Sequence, residues 1–270
     1  MTTYSICMTC FNEADSIRDS LNSLLGQLDE GYEVVVVDNY STDGTIDQLR
    51  KFEGVNRVKV IQKRCSRGLG RQIAFENSNG EYVIANLDLD DTFLQVVQEI
   101  VKGYHQKAEG KLLAVFNSSS REEMKAGWPQ NMTIGPRALV ASLGGWRDLN
   151  IYEDWDIWSR AGKVEAYRWT AQRFAANQSV HPENKRWAGN RLNRRYERYS
   201  NRLRLGLEVF TPGERKGLSQ RAAYLGARMT LPFKGVLKGQ DTHFDSLKPD
   251  CYIDLPLGSG PKASPPQAVP

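Results

Sequence analysis

Hydrophobic residues in the first 117 positions follow two alternating periodicities. Short apolar runs predict strands at YSICMTC, EVVVVDN, RVKVIQ, EYVIANLD and LLAVFNS. Apolar residues at helical spacing predict helices in EADSIRDSLNSLLGQ, STDGTIDQLRKF, GLGRQIAFENS and TFLQVVQEIVKGYHQ. A continuous β-branched run such as EVVVVDN is typical of a strand that is buried on both faces. The alternation indicates an α/β fold, a mostly parallel sheet covered by helices on both faces.

This alternation ends after residue 118. The next segment predicts a short strand, a helix that starts at Pro136, a Gly-Gly loop, a second helix and a strand. From Phe174 to about Thr211 the chain is basic and mostly helical in pattern. The last fifteen residues contain five prolines and predict a disordered tail. We therefore expect a main domain over 1–175 with halves 1–117 and 118–175, a basic extension over 176–255 and a tail over 256–270.

Length and composition limit the setting of the protein. A chain of 270 residues with 40% hydrophobic residues can form one large domain, with or without an appendage. No stretch approaches the roughly 18 apolar residues of a membrane span, and MTTYSICMTCFNE lacks the features of a signal peptide. Cys7 and Cys10, three residues apart on a strand, are expected to point to opposite faces as buried structural thiols. Together these features predict a cytoplasmic protein.

The net charge of +4 is distributed unevenly. Residues 163–204 contain eleven Lys/Arg and three Glu, a net of +8, so the rest of the chain carries a net of −4. Such a basic segment predicts an anionic ligand or surface close to it. Anionic lipid head groups, with peripheral attachment to the inner face of the membrane, or a lipid-diphosphate acceptor would explain it. Nucleic acid bound through KRWAGNRLNRRYERYSNRLR is the alternative that we favour least.

Polar side chains follow the first four predicted strands. In a parallel sheet, ligands bind beyond the carboxyl ends of the strands, and these residues would therefore converge on one cleft. The chain has no GxGxxG or GxxxxGK[ST] signature, which disfavours a dinucleotide-binding dehydrogenase and a P-loop NTPase. The polar residues at the four strand ends are Thr9, Asn12, Glu13, Asp38, Ser41, Arg67, Arg71, Asp88, Asp90 and Asp91.

Three carboxylates within four residues, at Asp88, Asp90 and Asp91, end the strand EYVIANLD. Like charges repel and are costly to bury, so the cluster predicts a compensating cation. Carboxylate oxygens suit Mg²⁺ or Mn²⁺, ions that bridge protein carboxylates to a diphosphate. The alternative is an Asp-rich turn that caps a helix starting near Thr92.

Five stretches, in order along the chain, carry a resemblance to a known family. They are TCFNEADSI, VVVVDNYSTDGT, RGLGRQIAFENSNGEYVIANLDLDD, GGW and YEDWDIWSRA, and they span residues 4 to about 170. The chain resembles glycosyltransferase family 2, inverting enzymes of the GT-A fold. The resemblance implies Mn²⁺ or Mg²⁺, a nucleotide-sugar donor and a hydroxyl acceptor on a glycan or a lipid-linked glycan. A UDP-sugar is the expected donor, with a GDP-sugar as the alternative.

The resemblance also implies roles for residues on the donor side. Asp38 would accept a hydrogen bond from the base, and Arg67 and Arg71 would contact the diphosphate. Asp90 would bind the metal ion with support from Asp91. The donor as a whole would contact Thr9, Asn12, Glu13, Asp38, Ser41, Arg67, Arg71 and Asp88.

On the acceptor side, YEDWDIW offers three acids, Glu153, Asp154 and Asp156. Consecutive helical residues lie about 100° apart, and periodicity alone does not choose the acid that faces the cleft. The resemblance chooses Asp154 as the catalytic base and leaves Glu153 either as an acceptor contact or as a residue that supports the site from behind. Trp146, after the Gly-Gly pair, is either a sugar-stacking ring or part of the core. His181 is either a metal ligand or a structural histidine.

A sugar-nucleotide pyrophosphorylase would share the α/β architecture and the metal dependence. Such an enzyme would need a Gly-rich loop with a basic end near the first strand. CFNEADS, the segment at that place, has neither feature. The sequence therefore favours sugar transfer over pyrophosphorolysis.

Overall fold

The computed structural model describes residues 3–54, 57–125, 131–177, 191–207, 209, 217–237 and 248–255. Strands are β1 (Tyr4–Cys10), β2 (Tyr32–Asp38), β3 (Val58–Gln62), β4 (Tyr82–Ala85), β5 (Asp91–Phe93), β6 (Leu112–Phe116), β7 (Asn131–Pro136), β8 (Tyr167–Ala171) and β9 (Ala175–Asn177). Helices are α1 (Ile17–Leu25), α2 (Thr45–Arg50), α3 (Arg67–Glu76), α4 (Val97–Lys107), α5 (Arg121–Lys125), α6 (Arg137–Ser142), α7 (Glu153–Lys163), α8 (Arg191–Arg204) and α9 (Leu218–Lys234).

Seven of these strands form one sheet in the order β3-β2-β1-β4-β7-β6-β8. All neighbouring strands in it are parallel except at β7, which runs antiparallel to both β4 and β6. β5 and β9 form a separate antiparallel pair. The predicted α/β class with a mostly parallel sheet is therefore confirmed.

The core lies on both faces of the sheet, as the β-branched run of β2 predicts. Val34 and Val36 pack on one face with α1 and α4, and Val35 and Val37 pack on the other face with α3, α6 and α7. Cys7 and Cys10 follow the same alternation, and the two buried thiols are free and lie on opposite faces. Burial raises the pKa of the Cys7 thiol to about 12, as expected for an inert structural cysteine.

The segment after the Asp cluster differs from its prediction. Thr92 and Phe93 were expected to begin a helix, but they lie in β5, and α4 begins only at Val97. The physical reason is a distant partner, because Phe93 is buried and pairs with Ala175 of β9. Residues 175–177 were likewise expected to be helical and form β9 instead.

The basic extension contains a helical hairpin formed by α8 and α9. Ala223 and Ala227 of α9 are buried against Tyr199 of α8, and the Tyr196 and Thr230 hydroxyls are 2.8 Å apart. The predicted helix in the basic segment is thus confirmed over α8. The predicted tail, 256–270, lies outside the described residues. In the described ranges, no helix is long and apolar enough to cross a membrane.

Candidate active site

The candidate site lies at the edge of the sheet where β1, β2 and β4 end. The reversed direction of β7 adds a residue there, because Thr133 pairs with Ala85 and Asn131 therefore lies beyond the last residue of β4. The N-terminal halves of α3 and α7 approach the same edge through Arg71 and Glu153. The site thus combines the predicted strand ends with two helix starts.

The loops after β1 and β2 are joined by hydrogen bonds around Asp38. The Ser41 hydroxyl donates to the buried Asp38 carboxylate at 2.5 Å, and Gln62 Nε2 donates at 3.0 Å. The Asn12 backbone N–H donates to Ser41 Oγ at 2.8 Å, and Asn12 Oδ1 accepts from the Thr42 N–H at 2.9 Å. Asp38, predicted to accept a hydrogen bond from the base, thus also organises this loop through Ser41 and Gln62.

Glu13 and Asp43 extend this network toward α2. The Glu13 N–H donates to Thr45 Oγ1 at 2.8 Å. Asp43 accepts from the Thr45 N–H at 3.1 Å and from the Ala14 N–H at 3.0 Å, so it caps the start of α2 and ties it to the first loop. The predicted donor residues Asn12, Glu13, Asp38 and Ser41 are thus brought together, bonded mainly to one another and to backbone.

Two glycines let α3 approach its neighbours closely. The Gly68 N–H donates to the Leu149 carbonyl at 2.8 Å, and a Cβ at Gly68 would overlap the Arg147 carbonyl oxygen. A Cβ at Gly70 would lie 2.5 Å from Cγ2 of Thr9. The GxG in SRGLGRQ therefore serves close packing of the helix start against β1 and the loop before α7.

Arg71 supplies a positive partner for the Asp cluster. Its buried guanidinium lies 2.5 Å from Glu153 Oε1 and 3.7 Å from Asp88 Oδ1. The compensating charge was expected from a metal ion, and Arg71 was expected to contact the diphosphate. In the structure the Arg71 side chain bridges α3, the Asp-rich loop and α7.

Arg67 occupies a more open position one turn earlier. Its Nε lies 3.8 Å from Glu153 Oε1, and its side chain is 33% exposed. Burial lowers the pKa of Arg67, but the carboxylates of Asp88, Glu153, Asp154 and Asp90 together raise it above the usual value. Arg67 therefore stays charged at the edge of a negatively charged cleft, where its exposed part can meet an anionic ligand.

The three aspartates of the cluster differ in accessibility. Asp88 has a side chain that is 30% exposed, Asp90 is half-buried and Asp91 is buried in β5. Burial, followed by the charges of Asp90, Asp88 and Glu13, raises the pKa of Asp91 to about 8. Asp88 and Asp90 are thus the reachable carboxylates of the cluster. Asp91, expected to support Asp90 at the metal ion, is buried behind them, and Asp88, expected to contact the donor, lies in the more accessible place.

The carboxylate oxygens of this cluster suit a hard divalent cation, provided that a bound ligand supplies further oxygen atoms. Within the described residues, no group of three or more His, Cys, Asp or Glu side chains is arranged to hold a metal ion. Mg²⁺ commonly binds one or two protein carboxylates and completes its shell with phosphate oxygens and water. Asp88 and Asp90 fit that mode. His181, the other predicted ligand, lies outside the described residues.

The structure separates the three acids of α7 by their partners. Asp156 is fully buried and accepts from Arg147 Nε at 2.9 Å and Arg160 at 2.7 Å. Glu153 is buried against Arg71. This position fits the second of its two expected roles, support from behind the site, rather than direct contact with an acceptor. Asp154 alone of the three has no arginine within ion-pairing distance in the described structure.

Asp154 is held by two hydrogen bonds. Asn131 Nδ2 donates to Oδ2 at 2.8 Å, and the Trp155 N–H donates to Oδ1 at 2.8 Å. Burial and the neighbouring charge of Glu153 raise the pKa of Asp154, and Arg71, Asn131 and the Trp155 N–H lower it, so that it lies at about 6. A carboxylate that is largely ionised at neutral pH but more basic than usual is suited to general base chemistry.

Two asparagines that the sequence analysis missed support Asp154. Asn86, directly after β4, is buried, and its Nδ2 donates to Asn131 Oδ1 at 2.8 Å. Asn131 in turn donates to Asp154, so a chain of side chains runs from the end of β4 to α7. The φ of Asn86 is +69°, a conformation in which Asn is enriched. An Asn two residues before the first aspartate of the cluster was the available signal.

Trp146 was expected either to stack on a sugar or to be part of the core, and the structure places it in the core. Its ring is buried and packs edge-on against Phe75 with centroids 6.2 Å apart. The expectation that this ring stacks on a sugar is therefore wrong in this conformation. Trp158 is also part of the core, since it is fully buried and donates from Nε1 to Thr133 Oγ1 at 3.0 Å.

Comparison with known sequences identifies the family. The model of glycosyl transferase family 2 matches residues 5–180, which is more than half of the chain. The chain therefore belongs to glycosyl transferase family 2, as the resemblance predicted.

Curated relatives match shorter stretches. The putative teichuronic acid biosynthesis glycosyltransferase TuaG of Bacillus subtilis is 36% identical over 90 residues, which are 32% of this chain and 35% of TuaG. The UDP-Glc:alpha-D-GlcNAc-diphosphoundecaprenol beta-1,3-glucosyltransferase WfaP of Escherichia coli is 32% identical over 92 residues, 34% of this chain and 36% of WfaP. The chain thus spans about a third of each of these relatives.

Solved structures show the GT-A fold. Residues 1–349 of Staphylococcus aureus TarS in complex with UDP-GlcNAc superpose with a TM-score of 0.56 at 20% identity, covering 74% of this chain and 65% of that one. The mannosyltransferase PcManGT of Pyrobaculum calidifontis, in complex with GDP-Man and Mn²⁺, gives a TM-score of 0.55 at 17% identity, covering 84% and 69%. The predicted fold class is confirmed by these matches.

Proposed function

We propose that this protein transfers a sugar from a nucleotide-diphosphate sugar to a hydroxyl group, with inversion at the anomeric carbon. The observation that carries the proposal is Asp154, held by Asn131 and the Trp155 N–H at the edge of the cleft with a pKa of about 6. An acceptor hydroxyl would lose its proton to Asp154 while its oxygen attacks the anomeric carbon. The bond from that carbon to the diphosphate oxygen would break in the same displacement.

The donor would occupy the edge formed by the loops after β1, β2 and β4. Arg67, whose side chain is partly exposed at the cleft, is suited to contact the diphosphate. Asp88 and Asp90 would hold Mn²⁺ or Mg²⁺, which when bound would neutralise charge on the departing nucleoside diphosphate. We favour a UDP-sugar because TarS has been solved with UDP-GlcNAc, and PcManGT with its GDP-Man makes a GDP-sugar the alternative.

The acceptor class follows from the relatives that are named for glycan synthesis. TuaG is named for teichuronic acid and WfaP for a sugar on diphosphoundecaprenol. We propose a glycan or a lipid-linked glycan as the acceptor of this protein. The nucleic-acid alternative is weakened by the aromatic residues of α8, because Tyr199 is buried and Tyr196 is bonded to Thr230 of α9.

Calorimetry with UDP and GDP, each with Mn²⁺, with Mg²⁺ and with a chelator, tests the donor site. We expect UDP to bind with either metal ion and to lose most of its affinity in the chelator. Asp90→Asn should show the same loss in the presence of metal, and the exposed Asp148→Asn serves as the matched control. Equal binding with and without metal would contradict the metal site. A panel of sugar nucleotides, followed by nucleotide release, then identifies the sugar.

A further inference from the structure

Helix α9 presents its large apolar side chains to the outside. Leu218 is 87% exposed and Phe233 is 90% exposed, and Leu225, Met229 and Val236 are also exposed. Leu218, Leu225, Met229 and Phe233 recur at intervals of seven or four along the helix, so they share one face. Val236 follows two residues after the end of the helix. A stripe of this size on a water-facing helix is unusual and marks an interaction surface.

The face of α9 that packs on α8 carries small residues, in contrast to an ordinary amphipathic helix, which buries its large apolar side chains. The residues buried against α8 are small, Ala223 and Ala227, with Thr230 bonded to Tyr196. The helix therefore buries alanine and exposes leucine, methionine and phenylalanine. This distribution lowers the free energy only if the outer stripe meets a second apolar phase.

Charge on the hairpin indicates the nature of that phase. Together α8 and α9 contain nine Lys/Arg and one Glu, and α9 itself contains no acid. Arg221 and Arg228, seven residues apart and both exposed, flank the stripe on one side of α9. An apolar face with basic flanks is the pattern of a helix that lies in the surface of an anionic bilayer.

A second copy of this chain fits the surface less well. In a two-fold symmetric contact the same patch meets itself, so the Arg221 and Arg228 flanks would approach their own copies. With no acid on α9, these charges would lack partners in the helix that faces them. An anionic lipid surface instead accepts both the apolar stripe and its basic border.

We propose that α9 lies in the surface of an anionic membrane, with Leu218, Leu225, Met229, Phe233 and Val236 inserted and Arg221 and Arg228 at the head groups. This places the membrane contact on α9, beyond the segment 163–204 that charge alone had suggested. The docking surface does not depend on the transfer reaction and can be tested without it.

The hairpin also connects this surface to the candidate active site. Arg204 at the end of α8 donates to the Asp148 carbonyl at 2.6 Å, and Asn201 Nδ2 donates to the Ile151 carbonyl at 3.4 Å. Arg202 lies over the Tyr152 ring at 5.9 Å. These contacts hold the loop immediately before Asp154. If the proposed function holds, a docked α9 would present the acceptor side of the cleft to lipid-linked glycans at the bilayer surface.

Co-sedimentation tests the docking directly, with vesicles of phosphatidylcholine alone and of phosphatidylcholine with phosphatidylglycerol. We expect the whole protein to bind the anionic vesicles at low salt and to be released as salt rises. The triple variant Leu225→Ser, Met229→Ser, Phe233→Ser should bind at least about tenfold more weakly, because it removes most of the inserted apolar area. Val164→Ser, an exposed apolar residue at the end of α7, should bind like the wild type.

A second variant separates the charge contribution and does not touch the apolar stripe. Arg221→Gln with Arg228→Gln should weaken binding to anionic vesicles by about fivefold or more and leave binding to neutral vesicles unchanged. The proposal is overturned if the wild-type protein ignores anionic vesicles at low salt, or if neither variant changes its binding. It is also overturned if sedimentation velocity shows a dimer that the triple variant dissociates while vesicles bind neither protein. Nucleotide binding, measured separately, reports on the donor site.

Discussion

Single side chains at this site acquire their roles from the partners that surround them. Glu153, Asp154 and Asp156 are chemically similar and lie within one turn of α7. Asp156 is neutralised by two arginines and Glu153 by Arg71. Among the described residues, Asp154 instead accepts from an amide and a backbone N–H and has no arginine in ion-pairing range. The base assignment therefore depends on which acid lacks a cation in ion-pairing range, a property that the sequence YEDWDIW does not contain.

Asn131 is the residue whose substitution tests this electrostatic account. Its hydrogen bond lowers the pKa of Asp154, so Asn131→Ala should raise that pKa above about 6. Because the base acts in its ionised form, the acid limb of the rate against pH should move upward by about one pH unit. The rate measured well above pH 7 should fall less than the rate at pH 6.

Asn117→Ala provides the matched control for Asn131. Asn117 follows the neighbouring strand β6 and accepts from the Phe174 N–H at 3.0 Å, with no contact to Asp154. We expect this substitution to destabilise the fold and to leave the pH dependence unchanged. If Asn131→Ala lowers the rate equally at every pH, Asn131 holds the structure rather than the protonation state of Asp154.

At the scale of elements, two glycines allow the start of α3 to pack closely against its neighbours. Gly68 lets the helix donate a backbone hydrogen bond to Leu149 and places Arg71 against Glu153 of α7. Gly68→Ala would force a Cβ against the Arg147 carbonyl, and either α3 or the loop must move. We expect the free energy of unfolding in urea to fall by about 1–3 kcal/mol and nucleotide affinity to fall with it.

Gly162→Ala in α7 is the control for this substitution. A Cβ at Gly162 meets no atom within 4 Å, and alanine is the better helix former. The free energy of unfolding should therefore rise by about 0.5–1 kcal/mol, with nucleotide affinity unchanged. Equal effects of the two substitutions would contradict the close approach of α3 as the organising feature.

The elements themselves were largely predictable, and the exceptions share one cause. Buried β-branched strands such as β2 and amphipathic helices such as α1 are encoded locally, and the sequence predicted them. β5 was missed because Thr92 and Phe93 pair with β9 more than eighty residues away. The exposed face of α9 could not be predicted for a related reason. Only the packing of Ala223 and Ala227 on α8 determines which side of this helix faces outward.

At the scale of the whole molecule, the sequence predicted where the site lies but not how its charges are balanced. Parallel strand ends converge by geometry, so Asn12, Asp38 and Asp88 could be placed at one edge from their position after strands. The Arg71 bridge to Glu153 joins residues 82 positions apart, and no local pattern predicts it. The same holds for Trp146, whose burial against Phe75 decides between core and sugar contact.

The central claim is that the protein transfers a sugar and that Asp154 takes the proton from the acceptor hydroxyl. The most direct measurement compares nucleotide release and donor affinity of the wild type, Asp154→Asn and the exposed control Asp148→Asn, with the donor that the panel identifies. The account predicts that Asp154→Asn binds the donor normally and loses about 10²–10⁴-fold in rate, while Asp148→Asn retains both. An Asp154→Asn protein that turns over at the wild-type rate, or that fails to bind donor while still folded, would contradict it.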